Sequence, residues 1–371
     1  MLKRMHVPPR ASVAVLLLAS ALAACEDEKR HSTHPVDAGT ANASLSGPVL
    51  GGKLGQAIAA AASAEPAASA DKPDGGPPDT GIFSPESADE AHAPTAPAKL
   101  QLFDQGKDPT ILLSYAFAPG AERKATVLLQ VRAAQSALTP LTVALVFKSE
   151  KPKDEKKTGK DKETDKPAEP AALPVTVKIA EAKPLRGANL GDDLANLKDV
   201  VIRYRLTPAG TATDIAIEYP KKSSDAIELV AGALVEALMG MTLPVPDKPV
   251  GVGAYWMVTD RARSSGVDVV RYRVAKLVKL DDKTATLSLD VRQYAANTTF
   301  GLPGLPKEIQ VSLSKYESQG KGEISVGPDP FLPAKGQINI VMQTLLTSPQ
   351  QQQGQRLMIQ TDLRAALSST P

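Results

Sequence analysis

The chain has 371 residues, and its 43 Lys and Arg against 41 Asp and Glu leave it nearly neutral, with 42% apolar and only 4% aromatic residues. A balance this even supplies no field that would gather phosphate, so nucleic acid is excluded as an expected partner. A single cysteine excludes an intramolecular disulfide, and stability must come from a hydrophobic core.

Lys3, Arg4 and Arg10 open the chain, an apolar run extends from Ala11 to Ala24, and Leu22-Ala23-Ala24 leads into that one cysteine, Cys25. Charged start, apolar middle and small residues make up a secretory signal. The run of about 14 residues is shorter than the ~20 that span a bilayer. Leu22-Ala23-Ala24-Cys25 resembles a bacterial lipobox. The resemblance implies removal of residues 1–24 and a diacylglycerol on the Cys25 sulfur, with palmitate-type chains as the membrane anchor. Each buried acyl CH₂ contributes about 0.8 kcal/mol and one chain anchors only marginally, so two or three chains are expected. The expected home is the bacterial cell envelope, at the outer membrane, on its periplasmic or surface side.

Residues 25–98 are rich in Ala, Pro, Ser, Gly and Asp, with Asp71-Lys-Pro-Asp-Gly-Gly-Pro-Pro-Asp79 as the clearest breaker run. Such a segment buries too little to offset its ordering entropy and reads as a disordered tether. Pro48 to Glu65 is less polar and reads as alanine bias or a transient helix. His6, His31, His34 and His92 all fall in the signal or the tether. The body then lacks the histidine of Ser-His and Cys-His nucleophile systems and of common zinc sites. The expectation is a protein that is not an enzyme, with no catalytic residue, metal or cofactor.

The body, 99–371, begins with a first strand set over 99–222. Strands are expected at Lys99 to Asp104, Thr110 to Phe117, Arg123 to Ala133, Leu141 to Lys148, Leu173 to Ala182, Val200 to Leu206 and Thr211 to Tyr219. Ile215-Ala-Ile217-Glu-Tyr219 alternates as a half-buried strand does, and Pro208-Ala-Gly210 marks a hairpin. Between two strands lies a charged loop, 149–172, with Lys and acidic residues interleaved so that their charges cancel.

Residues 223–241 read as a helix. Ser223, Ser224 or Asp225 supplies the N-cap, and Ile227, Val230, Ala231, Leu234, Val235, Leu238 and Met241 recur at helical spacing, with Glu228 and Glu236 on the wetter side. A second strand set, 242–371, follows: Ala254 to Arg263, Val267 to Leu280, Lys283 to Ala295, Ile309 to Gln319, Gly322 to Val326, Ala334 to Thr347 and Gln355 to Ala365. Turns at Ser265-Gly266, Asp281-Asp282 and Gln319-Gly320 make it an antiparallel meander. The fold class is mainly β: a long curved antiparallel sheet, half-barrel-like, with one central amphipathic helix.

Val200 to Leu206 with Thr211-Ala-Thr213 echoes Val269 to Val274 with Thr284-Ala-Thr286. The echo reads as a duplicated unit or as convergence on strand-forming residues. Gly106-x-x-Pro109-x-x-x-Leu113-x-Tyr115-x-Phe117-x-x-Gly120 and Pro246-Asp-Lys-Pro249-Val-x-Val-Gly253-x-x-Trp256 resemble a group of bacterial lipoproteins of unassigned activity, built as two strand-rich halves joined by a helix. More loosely, the pattern is similar to periplasmic lipoprotein carriers, an analogy of fold alone.

Leu234, Leu238, Met241 and Trp256 are the candidate ligand-binding residues, an apolar lining with Met241 able to adapt its shape; the bland reading is ordinary core packing. Arg203, Arg205, Arg271 and Arg273 flank tyrosines and are expected on a solvated outer face, with an anionic headgroup as the sharper reading. The expected function is a membrane-anchored envelope lipoprotein that binds an apolar or amphipathic ligand, or a partner protein, through its curved sheet. The alternative is a structural or assembly lipoprotein that docks on an envelope complex without a small ligand.

Overall fold

The computed structural model describes residues 78–115, 118–133, 136–150, 172–185, 191–281, 284–301, 311–327, 332–347 and 356–370. The signal 1–24, Cys25, the tether through residue 77 and residues 151–171 of the charged loop lie outside the described residues.

In chain order the elements are α1 (Pro85–Ala91), β1 (Lys99–Asp104), β2 (Lys107–Ile111), β3 (Glu122–Ala133), β4 (Ser136–Ala137), β5 (Leu141–Ser149), β6 (Leu173–Pro184), β7 (Val201–Leu206), β8 (Ala212–Glu218), α2 (Asp225–Met241), β9 (Val250–Val252), β10 (Tyr255–Ser264), β11 (Val267–Asp281), β12 (Thr284–Ala295), β13 (Ser312–Val326), β14 (Lys335–Thr347) and β15 (Arg356–Thr370). The protein is mainly β. One large sheet runs β1-β10-β11-β12-β13-β14-β15-β3-β5-β6-β7-β8, antiparallel throughout, with β4 beside β3. The second half is the expected meander, β10 to β15. The seam between the halves is β15 on β3, where Leu363 faces Val131 and Leu367 faces Val127. β1 and β8 are the two outer strands and do not pair, so the sheet stays open.

Period-two alternation decides which face is core. β12 alternates half-buried and buried residues from Thr284 to Ala295, and β14 buries Ile338, Ile340, Met342 and Leu346 while exposing Gln337 and Asn339. α2 covers this inner face with Ile227, Val230, Leu234, Ala237, Leu238 and Met241, all buried. Ser224 caps it, accepting a hydrogen bond from Ile227 N at 3.2 Å, as the Ser-Ser-Asp signal implies.

A short strap forces the sheet to curl. Leu243 to Val245, just past α2, touch both ends of the strand order: Trp256 Nε1 on β10 donates to Pro244 O at 3.0 Å, and Val245 N donates to Ala209 O at 2.9 Å in the β7–β8 turn. Tyr115 OH locks the same strap by donating to Leu243 O at 3.0 Å. Nine inter-strand steps separate β10 from β7, about 43 Å in a flat sheet, and three residues cannot cover that. Gly210 sits inside the contact with φ +81°, where a Cβ would lie 2.4 Å from the Tyr115 ring.

Four expectations change. Residues 78–98 do not end the tether: Ile82 bridges to Ala295, Phe83 meets Tyr294 edge-on at 5.7 Å, and α1 follows with Ser84 as N-cap and Pro85 behind it. Low-complexity composition masked an apolar pair and a cap. His92 is consequently buried in the body. Among the described residues, the strand expected from Thr110 to Phe117 is replaced by β2, Lys107–Ile111, which pairs with β9 outside the large sheet. The turn at Gln319-Gly320 is absent, and β13 runs straight through it, because Gly320 and Gly322 serve close strand packing: a Cβ on either would lie 2.8 Å or less from a β14 carbonyl oxygen. Finally, the Arg-Tyr-Arg echo reverses its faces. In β7 Tyr204 points inward and both arginines are exposed; in β11 Arg271 and Arg273 point inward, and Tyr272 lies on the other face against Tyr294.

Candidate functional site

The four candidate ligand residues converge on one place. Leu234, Leu238, Met241 and Trp256 are each 1% exposed or less and belong to a single apolar core with Leu243, Val258 and Ile338. Gly240 and Gly336 let α2 settle on β14, since a Cβ on Gly336 would meet Met241 Sδ at 2.8 Å and one on Gly240 would meet Ile338 Cδ1 at 2.8 Å. Helix and sheet are in direct contact here. None of the four borders either cavity described below.

Beside that core lies a buried ionic cluster. Asp260 on β10 faces Arg271 across the ladder and accepts from its Nε at 2.9 Å and Nη2 at 2.8 Å, while Arg273 Nη2 reaches the same carboxylate at 2.7 Å. Arg273 Nη1 also donates to Met239 O at 2.9 Å and Thr242 O at 2.7 Å, at the C-terminus of α2, where the helix dipole favours a cation. Burial draws Arg273 down to about 10 even so. For Asp260 burial pushes the pKa up, but the two guanidiniums outweigh it and hold the carboxyl below its ordinary value.

Glu236, on the buried side of α2, accepts from Ser264 Oγ and from Ser265 N at 3.2 Å in the β10–β11 turn. Burial raises its pKa, with those hydrogen bonds and the Arg271 charge only partly offsetting it. The expectation of Glu236 on a wet face and of Arg271 and Arg273 on an outer face is therefore overturned: Arg273 and Glu236 find partners across the helix-sheet boundary, and Arg271 pairs with Asp260 within the sheet. The cluster ties α2 to the β10–β11 hairpin. His92 belongs to the same region, its Nε2 within 3.2 Å of Ala96 O and its pKa lowered by burial. Among the described residues, no group of three His, Cys, Asp or Glu is placed to hold a metal. None of their helices is long and apolar enough to cross a membrane.

Open space occurs on the outer face. A trough of about 490 Å³ crosses β13, β14, β15 and β3, within the range of small-ligand pockets. Register builds it: Lys321, Asn339, Arg364 and Gln130 form one cross-strand row, and Glu323, Gln337, Ala366 and Leu128 form the next. Pro140 and Leu185 make an end wall, Leu185 N donating to Pro140 O at 2.7 Å. A second, much smaller cleft continues it along Arg132 and Asp362. Leu128 on β3 and Leu185 just past β6 are 38% and 50% exposed and give the trough accessible apolar surface. Sequence reasoning missed the trough because its residues come from four strands, each of which alone reads as an ordinary polar face.

No family model matches the chain, and no curated protein does either. Among solved structures it is similar to lipovitellin, from a study titled "Lipid-protein interactions in lipovitellin", at 10% identity with a TM-score of 0.40 over 69% of this chain. The chain spans about a quarter, 26%, of that protein's length.

Proposed function

We propose that the protein is a non-enzymatic envelope lipoprotein, anchored through lipid on Cys25, that binds an amphipathic ligand or a partner protein on the outer face of its sheet. The observation that supports this reading is the division of the two faces. The inner face is filled by α2 and the strap, whereas the outer face carries the trough with exposed Leu128 and Leu185. A binding site needs accessible apolar surface beside a few polar groups, and the trough has both. The docking alternative draws on the outer strand β8, where Ile215 is 44% exposed and Tyr219, just past its end, is 40% exposed, beside backbone groups that no further strand pairs among the described residues.

The anchoring half is tested by feeding an alkyne-bearing palmitate analogue to bacteria that express the full chain. Wild type takes up the label and partitions with membranes, whereas Cys25→Ser does neither. Equal labelling of the two would remove the anchor from the account.

A further inference from the structure

We infer that the outer trough takes a single-chain amphiphile with an anionic head, the head held between Lys321 and Arg364 and the chain lying along Leu128, Pro140 and Leu185. The inference rests on the outer-face reading above and adds to it the chemistry of the ligand. Three features of the trough carry it.

The first is polarity along its length. One end is Lys321, Glu323, Gln337 and Asn339; the other is Leu128 with the Pro140–Leu185 wall. The strand register sets that order in the row Glu323, Gln337, Ala366 and Leu128, which runs from polar to apolar across the sheet, while the adjoining row Lys321, Asn339, Arg364 and Gln130 stays polar. A ligand that satisfies both ends has a polar head and an apolar body.

The second is charge. Lys321 and Arg364 sit on the same row with only Asn339 between them, two strand spacings or about 10 Å apart at the backbone. Both are exposed, and among the described residues neither has an ion pair or a side-chain hydrogen bond. Some exposed cations of the sheet are engaged, Arg203 with Glu218 and Lys315 with Glu317, while others, such as Lys124 and Lys335, form no ion pair among the described residues, so the pairing of two such cations on one row beside an apolar wall is the distinguishing feature. Two long cationic side chains on either side of an amide suit a carboxylate or phosphate, with Arg364 able to offer two parallel N–H donors. Glu323, two residues from Lys321 on the same face, opposes an anion and serves as an internal gauge of the sign.

The third is the floor. Ala366, exposed on the same face of β15 as Arg364, lines the trough, and its small side chain leaves room for a chain to cross that strand.

The test uses the full chain with Cys25→Ser, so that no attached lipid competes, and titrates it by calorimetry with four probes below their micellar concentrations. These are dodecyl phosphate, dodecanoate, dodecyltrimethylammonium and inorganic phosphate. Both anionic chains are expected to bind at least tenfold more tightly than the cationic chain and than inorganic phosphate. Lys321→Gln with Arg364→Gln, exposed positions that leave the circular dichroism spectrum unchanged, should remove that preference, and Glu323→Gln should strengthen it. Chains of either charge binding alike, unaffected by these changes, would overturn the anionic head while leaving amphiphile binding on this face standing. Inorganic phosphate binding as tightly as dodecyl phosphate would overturn the role of the chain. Absence of binding by every probe would remove both the inference and the small-ligand half of the proposed function, leaving protein docking.

Discussion

Glu236 of α2 and Ser264 of β10 meet inside the protein, the serine hydroxyl donating to the carboxylate while the next backbone N–H, that of Ser265, donates to its other oxygen. Because the carboxylate is fully buried, its folded-state pKa lies above the ordinary 4.5. The folded protein then holds a proton that the unfolded chain releases. Stability from this group is complete below about pH 4.5 and declines as pH rises through the folded value. Asp260 works in the opposite sense: its pKa is lowered, so its contribution is full above 3.8 and lost as pH falls below. Urea midpoints measured from pH 4.5 upward should fall for wild type, and Glu236→Gln should flatten that fall. Parallel profiles would show that Glu236 does not titrate differently on folding.

Asp260 pairs with two buried guanidiniums at once. Asp260→Asn keeps the shape but leaves Arg271 and Arg273 uncompensated, and breaking one side of a buried pair costs about 3–5 kcal/mol. Denaturant unfolding should register a loss of that size. A loss below about 1 kcal/mol would mean that water already solvates the cluster.

Two buried tyrosines should respond differently to losing a hydroxyl. Tyr115 OH donates to Leu243 O and accepts from Leu243 N at 3.3 Å, so Tyr115→Phe orphans strap groups and should cost about 1–3 kcal/mol. Tyr204 OH has no hydrogen-bond partner among the described residues, and burial pushes its pKa up. Tyr204→Phe removes an unsatisfied polar atom and should be neutral or stabilising. Thermal melts of the two variants decide it, equal losses counting against the strap.

Much of this fold was legible in the sequence. Alternation located most strands to within two residues, and the Ser224 cap with apolar residues from Ile227 to Met241 placed the helix. What escaped was set by tertiary context. Gly320 reads locally as a turn, yet its missing side chain admits the β14 backbone. Arg271 and Arg273 read as surface residues because their partners, Asp260 and the α2 carbonyls, are distant in sequence or belong to the backbone. Ile82 and Phe83 were hidden in breaker-rich composition. The trough was illegible because register between β13 and β3 depends on the whole meander closing onto the first half.

That core burial also changes how the predicted ligand residues should behave. Leu238→Ala should cost about 2–5 kcal/mol, as for other buried leucines. Equilibrium unfolding checks this, and a near-zero cost would indicate an unfilled lining at that position.

The central claim is that the outer face binds, and native mass spectrometry of the full chain recovered from bacterial envelopes tests it most directly. Wild type should carry a reproducible lipid-sized adduct, extractable into organic solvent, that disappears in Ala366→Arg, an exposed substitution that fills the trough. An adduct that survives Ala366→Arg with unchanged abundance would contradict the account.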